Sequence, residues 1–203
     1  MHNLITRTLP AVAVAAGLLL AGPAEAKKPK PVKATIALGD KRPVRAHAAG
    51  ACPNADVVPT PENVEVVRAA LLCLHNQVRA ENRLPALKDN PKLQKAALGH
   101  SYEMIGDGFF DHTSPNGATF VDRILSAGYV KRSAGWTLGE NLAWGTGDLS
   151  TPAGIMQSWM ASPGHKANIL KRSYRELGIG VRIGVPSDAS VGATVTADFG
   201  AKL

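Results

Sequence analysis

"ELGIGVRIGVPSDASVGATVTADFG", residues 176–200, carries apolar side chains at every second position on both sides of a turn-rich middle. Leu177, Ile179, Val181, Ile183 and Val185 alternate with Gly178, Gly180, Arg182 and Gly184. After "PSDASVG", Ala193, Val195, Ala197 and Phe199 repeat the pattern. A period of two sends successive side chains to opposite faces, so each run reads as a strand with one buried face. Joined by turn residues, the two make an antiparallel hairpin. A further strand is expected near Leu142–Trp144.

Upstream of this stretch the period changes to that of helices. Thr60-Pro61-Glu62 reads as N-cap, first-turn proline and acidic first turn. Val64, Val67, Leu71, Leu74 and Val78 then recur at helical spacing as far as about Asn82. Asn90-Pro91 repeats the start signal, with Leu93, Ala97, His100 and Met104 on one face, before "GDG" at 106–108. His100 on that apolar face reads as a satisfied core histidine, and His75, Asn76 and Arg79 of the first helix as packing residues. Thr119 caps a third helix that stops at Gly128. Ser150-Thr151-Pro152 opens a fourth, whose Ile155, Met156 and Trp159 face the core. Helices first and strands last predict an α+β domain with helices packed on the sheet.

The net charge of +7 is unevenly placed. Residues 27–50 hold +6 of it in a Pro/Lys/Ala-rich tether, and residues 51–203 carry only +1. A nearly neutral domain argues against nucleic acid as partner, while the tether suits contact with an anionic surface. Before it, Arg7, an apolar run over 9–21 and the small-residue site Ala24-Glu25-Ala26 have the form of a secretory leader, residues 1–26, cleaved near Ala26. That run is shorter than the ~20 residues that span a bilayer. Export to an oxidising setting fits the two cysteines, Cys52 and Cys73, expected to form a disulfide. Residues 51–203 are then one domain.

Three turn-rich stretches carry a histidine or carboxylate: "FFDHTSPNG" (109–117), "GENLAWG" (139–145) and "WMASPGH" (159–165). Their His112, Glu140 and His165 stand 28 and 25 positions apart, a spacing of no local metal motif. Two neutral imidazoles and one carboxylate nonetheless suffice for an open zinc site with water in the fourth position. The same trio also suits proton transfer, since a carboxylate beside a histidine raises its pKa. Pro163 and Gly164 end the fourth helix, which leaves His165 on a sharp turn.

These blocks resemble the CAP superfamily, the domain shared by cysteine-rich secretory proteins, insect antigen-five allergens and plant pathogenesis-related proteins, and its bacterial branch in particular. The resemblance runs over about 66–200, through "CLHNQVRAENRLPALKDNPKLQKAALGHSYEM", "FFDHTSPNG", "AGY", "GENLAWG", "WMASPGHKANIL", "ELGIGV" and "TADFG". It implies an α-β-α sandwich with a small central antiparallel sheet. It also implies a cleft lined by two histidines and two glutamates, holding a divalent metal such as zinc in some members. His112, Glu140 and His165 match three of those positions; Ser162 stands where the second glutamate belongs, which leaves a less anionic cleft. Ser162, Asn141 and Trp144 are the neighbouring candidates for lining it, although Asn141 also suits a backbone-bonding turn and Trp144 core packing. The expected function is an exported binding module whose cleft takes a small ligand, lipid, wall component or divalent metal at the cell surface or outside the cell. The alternative is a metal-assisted or acid/base hydrolase of peptides or wall polymer. No activated nucleophile is recognisable, which favours binding over catalysis.

Overall fold

The computed structural model describes residues 52–203; the expected leader and basic tether lie outside the described residues. Among the described residues, five α-helices and one short 3-10 helix, Gly147–Ser150, precede or interrupt a four-stranded sheet. Helix α1, Val64–Glu81, begins three residues later than the proline signal suggests. Asn63 occupies the cap and accepts from the Thr60 N–H at 2.8 Å, so Thr60 and Pro61 form a turn ahead of the helix. Helix α2, Pro91–Gly106, starts as expected, with the Asn90 side chain accepting from the N–H groups of Lys92 and Leu93. Helix α3, Phe120–Ser126, opens on a reciprocal capping box between Thr119 and Asp122. Helix α4, Pro152–Ala161, is followed at once by α5, Pro163–Ile169.

Two strands form the expected hairpin, β3 over Glu176–Val185 and β4 over Asp188–Lys202. Their connection is two residues, Pro186 and Ser187, with Val185 opposite Asp188, so most of "PSDASVG" is strand and not loop. The third strand, β2, is longer than expected, Trp136–Gly145, and pairs antiparallel with β4 along its whole length. A two-residue strand β1, Lys88–Asp89, adds a short parallel pair to β3, and the order is β1-β3-β4-β2.

One buried face per strand was the sequence expectation, and the structure buries both. Leu177, Ile179, Val195, Ala197 and Phe199 pack with Leu71 and Leu74 of α1 and with Ile155 and Trp159 of α4. The opposite face carries Gly178, Gly180, Thr194, Thr196 and Asp198, all covered. Helix α2 lies against this face, and a Cβ on Gly178 or Gly180 would land on the backbone of Leu93–Gln94 or Ala97–Leu98. The Ser101 and Thr196 hydroxyls meet at 2.9 Å in the same layer. Short polar side chains and absent ones look like a solvent face in sequence; here they let a helix approach. The result is the helix–sheet–helix sandwich.

Cys52 and Cys73 are bonded, with Cα atoms 5.6 Å apart, and tie the chain ahead of α1 to the middle of that helix. His100 is buried and bonded at both ring nitrogens, to Glu103 and to the Asp111 carbonyl. The second of these contacts anchors the loop that carries His112.

Candidate functional site

Glu140 projects from β2, an edge strand of the described sheet, on the face shared with α2 and α3. Its carboxylate is almost wholly buried, at 1% side-chain exposure. Both oxygens are committed. Oε1 meets His112 Nδ1 at 2.8 Å, and Oε2 accepts from Arg123 Nη2 at 2.7 Å. Arg123, from α3, also donates to the carbonyls of His112 and Ala118 and to the Ser114 hydroxyl. One guanidinium therefore ties the 112–118 loop to the strand. A buried carboxylate requires such partners.

His112 sits on this foundation with half its side chain exposed, at 52%. The hydrogen bond it donates to Glu140 raises its pKa, more than partial burial lowers it. With Nδ1–H given to Glu140, the imidazole is held in one orientation, and Nε2 takes no partner among the described residues. Opposite Glu140 in the β2–β4 register lies Asp198, fully buried with Oδ1 unbonded. Burial first, and the Glu140 charge second, push its carboxyl well above the usual carboxylate range.

His165 does not sit on a free turn, as Pro163 and Gly164 suggested. Ser162 closes α4 and opens α5, and His165 is the third residue of α5. Proline is compatible with a first helical turn, so the break lasts a single residue. The Asn141 amide donates to the His165 carbonyl at 3.0 Å, and Asn168 donates to Asn141 Oδ1 and to the Glu140 carbonyl. These bonds seat α5 against β2. The His165 ring is half-buried; burial, then the charge of His112, lowers its pKa. The two rings are therefore within electrostatic reach, one favouring the charged form and the other the neutral form.

Of the flanking candidates, Asn141 is fully buried and faces the other side of β2 from Glu140, so it positions α5 instead of lining a cleft. Ser162 makes no capping bond with its side chain. Trp144, four residues along from Glu140 and on the same face, remains partly exposed. Arg123 and Asp198 were not anticipated. Arg123 lies in an unremarkable amphipathic turn, and Asp198 occupies what reads as the solvent face of a strand. The one available signal was the odd carboxylate among Thr194, Thr196 and the glycines.

The donor set does not suit a three-ligand metal site. Glu140 already serves an imidazole and a guanidinium, and among the described residues no three His, Cys, Asp or Glu side chains come together to hold an ion. Glu140 orients a histidine, the role a carboxylate plays behind a ligand rather than as one.

Residues 72–193 match the profile of the cysteine-rich secretory protein family, CAP. The chain belongs to the CAP family. Its CAP domain is 32% identical over 120 residues to the Bacillus subtilis uncharacterized protein YkwD, a match covering 59% of this chain and 44% of that protein. It is likewise 32% identical over 111 residues to the uncharacterized membrane protein YlbC of the same species, covering 55% of this chain and 30% of that one. The chain thus spans less than half the length of either relative. Among solved structures, an extracellular SCP-domain protein of Bacillus anthracis superposes with a TM-score of 0.56 at 26% identity, covering 70% of this chain and 43% of the other. An outer surface protein of Borrelia burgdorferi shares the fold, with a TM-score of 0.57 at 19% identity over 72% of this chain and 97% of the other.

Proposed function

We propose that this CAP domain is an exported binding module whose cleft takes a small polar ligand at His112 and His165. The observation that carries the reading is the half-exposed His112, locked at Nδ1 by a buried glutamate that is itself anchored by Arg123. Such a ring is pre-organised, and binding it costs little ordering entropy. In its charged form it offers Nε2–H to an acceptor such as a carboxylate, phosphate or sugar oxygen. Neutral His165 offers one donor and one acceptor. The leader-like residues 1–26, the disulfide and the likeness to an extracellular Bacillus anthracis protein support export. No described helix is long and apolar enough to cross a membrane.

Calorimetric titration with soluble peptidoglycan fragments tests this. Because the folded pKa of His112 is raised, binding is strong below it and weakens as pH rises through it. His112→Ala with His165→Ala abolishes the heat. A curve flat from pH 5.5 to 9, or undiminished heat in the double variant, sinks the reading.

The opposed pKa shifts favour one alternative, metal-free acid/base hydrolysis of wall polymer or peptide, with His165 as base and His112 as acid. Turnover of the same fragments, lost in Glu140→Gln, would select it.

A further inference from the structure

The carbonyls of Leu138, Glu140 and Leu142 accept from the Tyr174 hydroxyl, the Asn168 amide and the Trp159 indole N–H, at 2.9, 3.1 and 3.0 Å. None of these donors belongs to β4, so the main-chain groups of the three residues point away from that strand. Within β4, the Gly200 carbonyl accepts from the Arg175 N–H on the β3 side, and alternation gives Asp198 the same orientation. Glu140 and Asp198, partners in the β2–β4 register, therefore form a non-hydrogen-bonded pair. In such a pair the Cα atoms approach to about 4.5 Å and the side chains lie closest.

Two carboxyl groups thus meet away from water. Asp198 is 1% exposed, and its partner on β3 is Gly178, which brings no side chain. The positive charge nearby is directed to Glu140. Arg123 Nη2 bonds Glu140 Oε2, and His112 Nδ1 bonds Oε1. The remaining bonds of Arg123 go to the loop at Ser114, Ala118 and His112. Arg123 Nε and Asp198 Oδ1 are both buried and without a partner among the described residues, so neither serves the other. On α2, His100 and Glu103 bond each other, the Asp111 carbonyl and the Ser114 hydroxyl. Adjacent carboxyl groups resist joint ionisation, and the charge settles on the one with cationic partners. Each Glu140 oxygen still has a lone pair to offer after those two bonds.

We propose that Asp198 is a positioning residue of the histidine site, a neutral carboxylic acid whose O–H donates to Glu140 and fixes the carboxylate that holds His112. Burial first, then the Glu140 charge and a hydrogen bond to it, keep the proton on Asp198 against the opposing charge of Arg123. Donors from β4, α3 and the 112–118 loop then hold Glu140 from three sides, and the His112 ring takes its orientation from that carboxylate. Asp198 touches no ligand and acts through Glu140. Only the binding arm of its test rests on the ligand reading above.

The test uses the full chain, labelled with carbon-13 at its carboxyl groups. The Asp198 resonance, assigned by its loss in Asp198→Asn, lies at the position of a protonated acid and stays there from about pH 5 to 8. Asp198→Ala removes the donor, which broadens the His112 ring resonances and weakens binding of peptidoglycan fragments about tenfold. Asp198→Asn restores a neutral donor of similar size. It recovers the sharp ring and most of the lost binding, with the His112 pKa within about 0.3 of wild type. Were Asp198 ionised, its resonance would show a carboxylate at neutral pH, and Asp198→Asn would lower the His112 pKa by about one unit through loss of an anion. Either result overturns the proposal, as does an alanine variant that folds and keeps the ring sharp. If the alanine variant does not fold, the wild-type resonance and the Asp198→Asn titration decide by themselves. If wild type binds no fragment, the ligand reading fails, while the ring and carboxyl resonances still judge Asp198.

Discussion

His75 and His112 place the same side chain in opposite electrostatic settings. His112 is half in water beside a carboxylate and holds its proton more tightly than a free histidine. His75 is fully buried between the rings of Trp159 and Phe199, with centroids 5.4 and 5.7 Å away, and its Nδ1 donates to the Leu71 carbonyl at 2.7 Å. Its Nε2 has no partner among the described residues, so a second proton there would be a buried charge with nothing to answer it. Burial accordingly lowers its pKa from 6.5 to about 4. The linkage follows from that direction. Below pH 6.5 the unfolded chain takes up a proton that the folded chain refuses, so stability falls with pH and levels off below about 4. The drop attributable to this residue is roughly 3 kcal/mol. Urea unfolding of wild type and His75→Phe between pH 4 and 7 measures it. The gap between the two curves changes by about that amount across the range; parallel curves would mean that the ring is not held neutral.

At the scale of elements, the approach of α2 to the sheet decides where the loop bearing His112 can go. Gly178 and Gly180 permit that approach, because any Cβ there strikes helix backbone and not a side chain that can swing away. Gly180→Ala therefore costs about 3 kcal/mol, near the upper end for overpacking. It also loosens the contact of His100 with the Asp111 carbonyl, seen as broadening of the His112 ring resonances. An alanine tolerated within about 0.5 kcal/mol would show that the helix sits farther out. The β3–β4 hairpin, the α2 and α3 caps and the α4 start were legible, since each rests on local chemistry: alternation, an Asn or Thr cap, a first-turn proline; β1 and most of β2 were not. The second buried face was not legible, because Gly and Thr at alternate positions carry no apolar signal. Helix α5 was hidden by a proline that reads as a stop and acts as a start. At the site, the family resemblance pointed to His112, Glu140 and His165. Arg123 and Asp198 escaped because their importance lies in whom they meet across 17 and 58 residues of chain, which no local pattern encodes.

Across the whole molecule, two long-range ties converge on α1, and they hold it by different physics. Arg79 is fully buried without a carboxylate partner among the described residues. It donates to the carbonyls of Pro85, Ile169, Lys171 and Tyr174, binding the first helix to the passage from α5 into β3. Burial, and then the Arg175 charge, lowers its pKa, so carbonyl dipoles alone make the charge tolerable. Removing the guanidinium strands several buried acceptors, and Arg79→Met should cost about 3 kcal/mol or more. The Cys52–Cys73 bond closes a loop of 21 positions and acts largely on the unfolded chain, where the entropy model assigns it about 3 kcal/mol. Similar losses must therefore come with different signatures. Replacing both cysteines by serine lets the unfolded chain open further, so the urea m-value rises as the midpoint falls. Arg79→Met leaves the crosslink, and with it the m-value, unchanged while the midpoint falls. Equal m-values for all three proteins would show that the disulfide holds the native state instead of restricting the unfolded one.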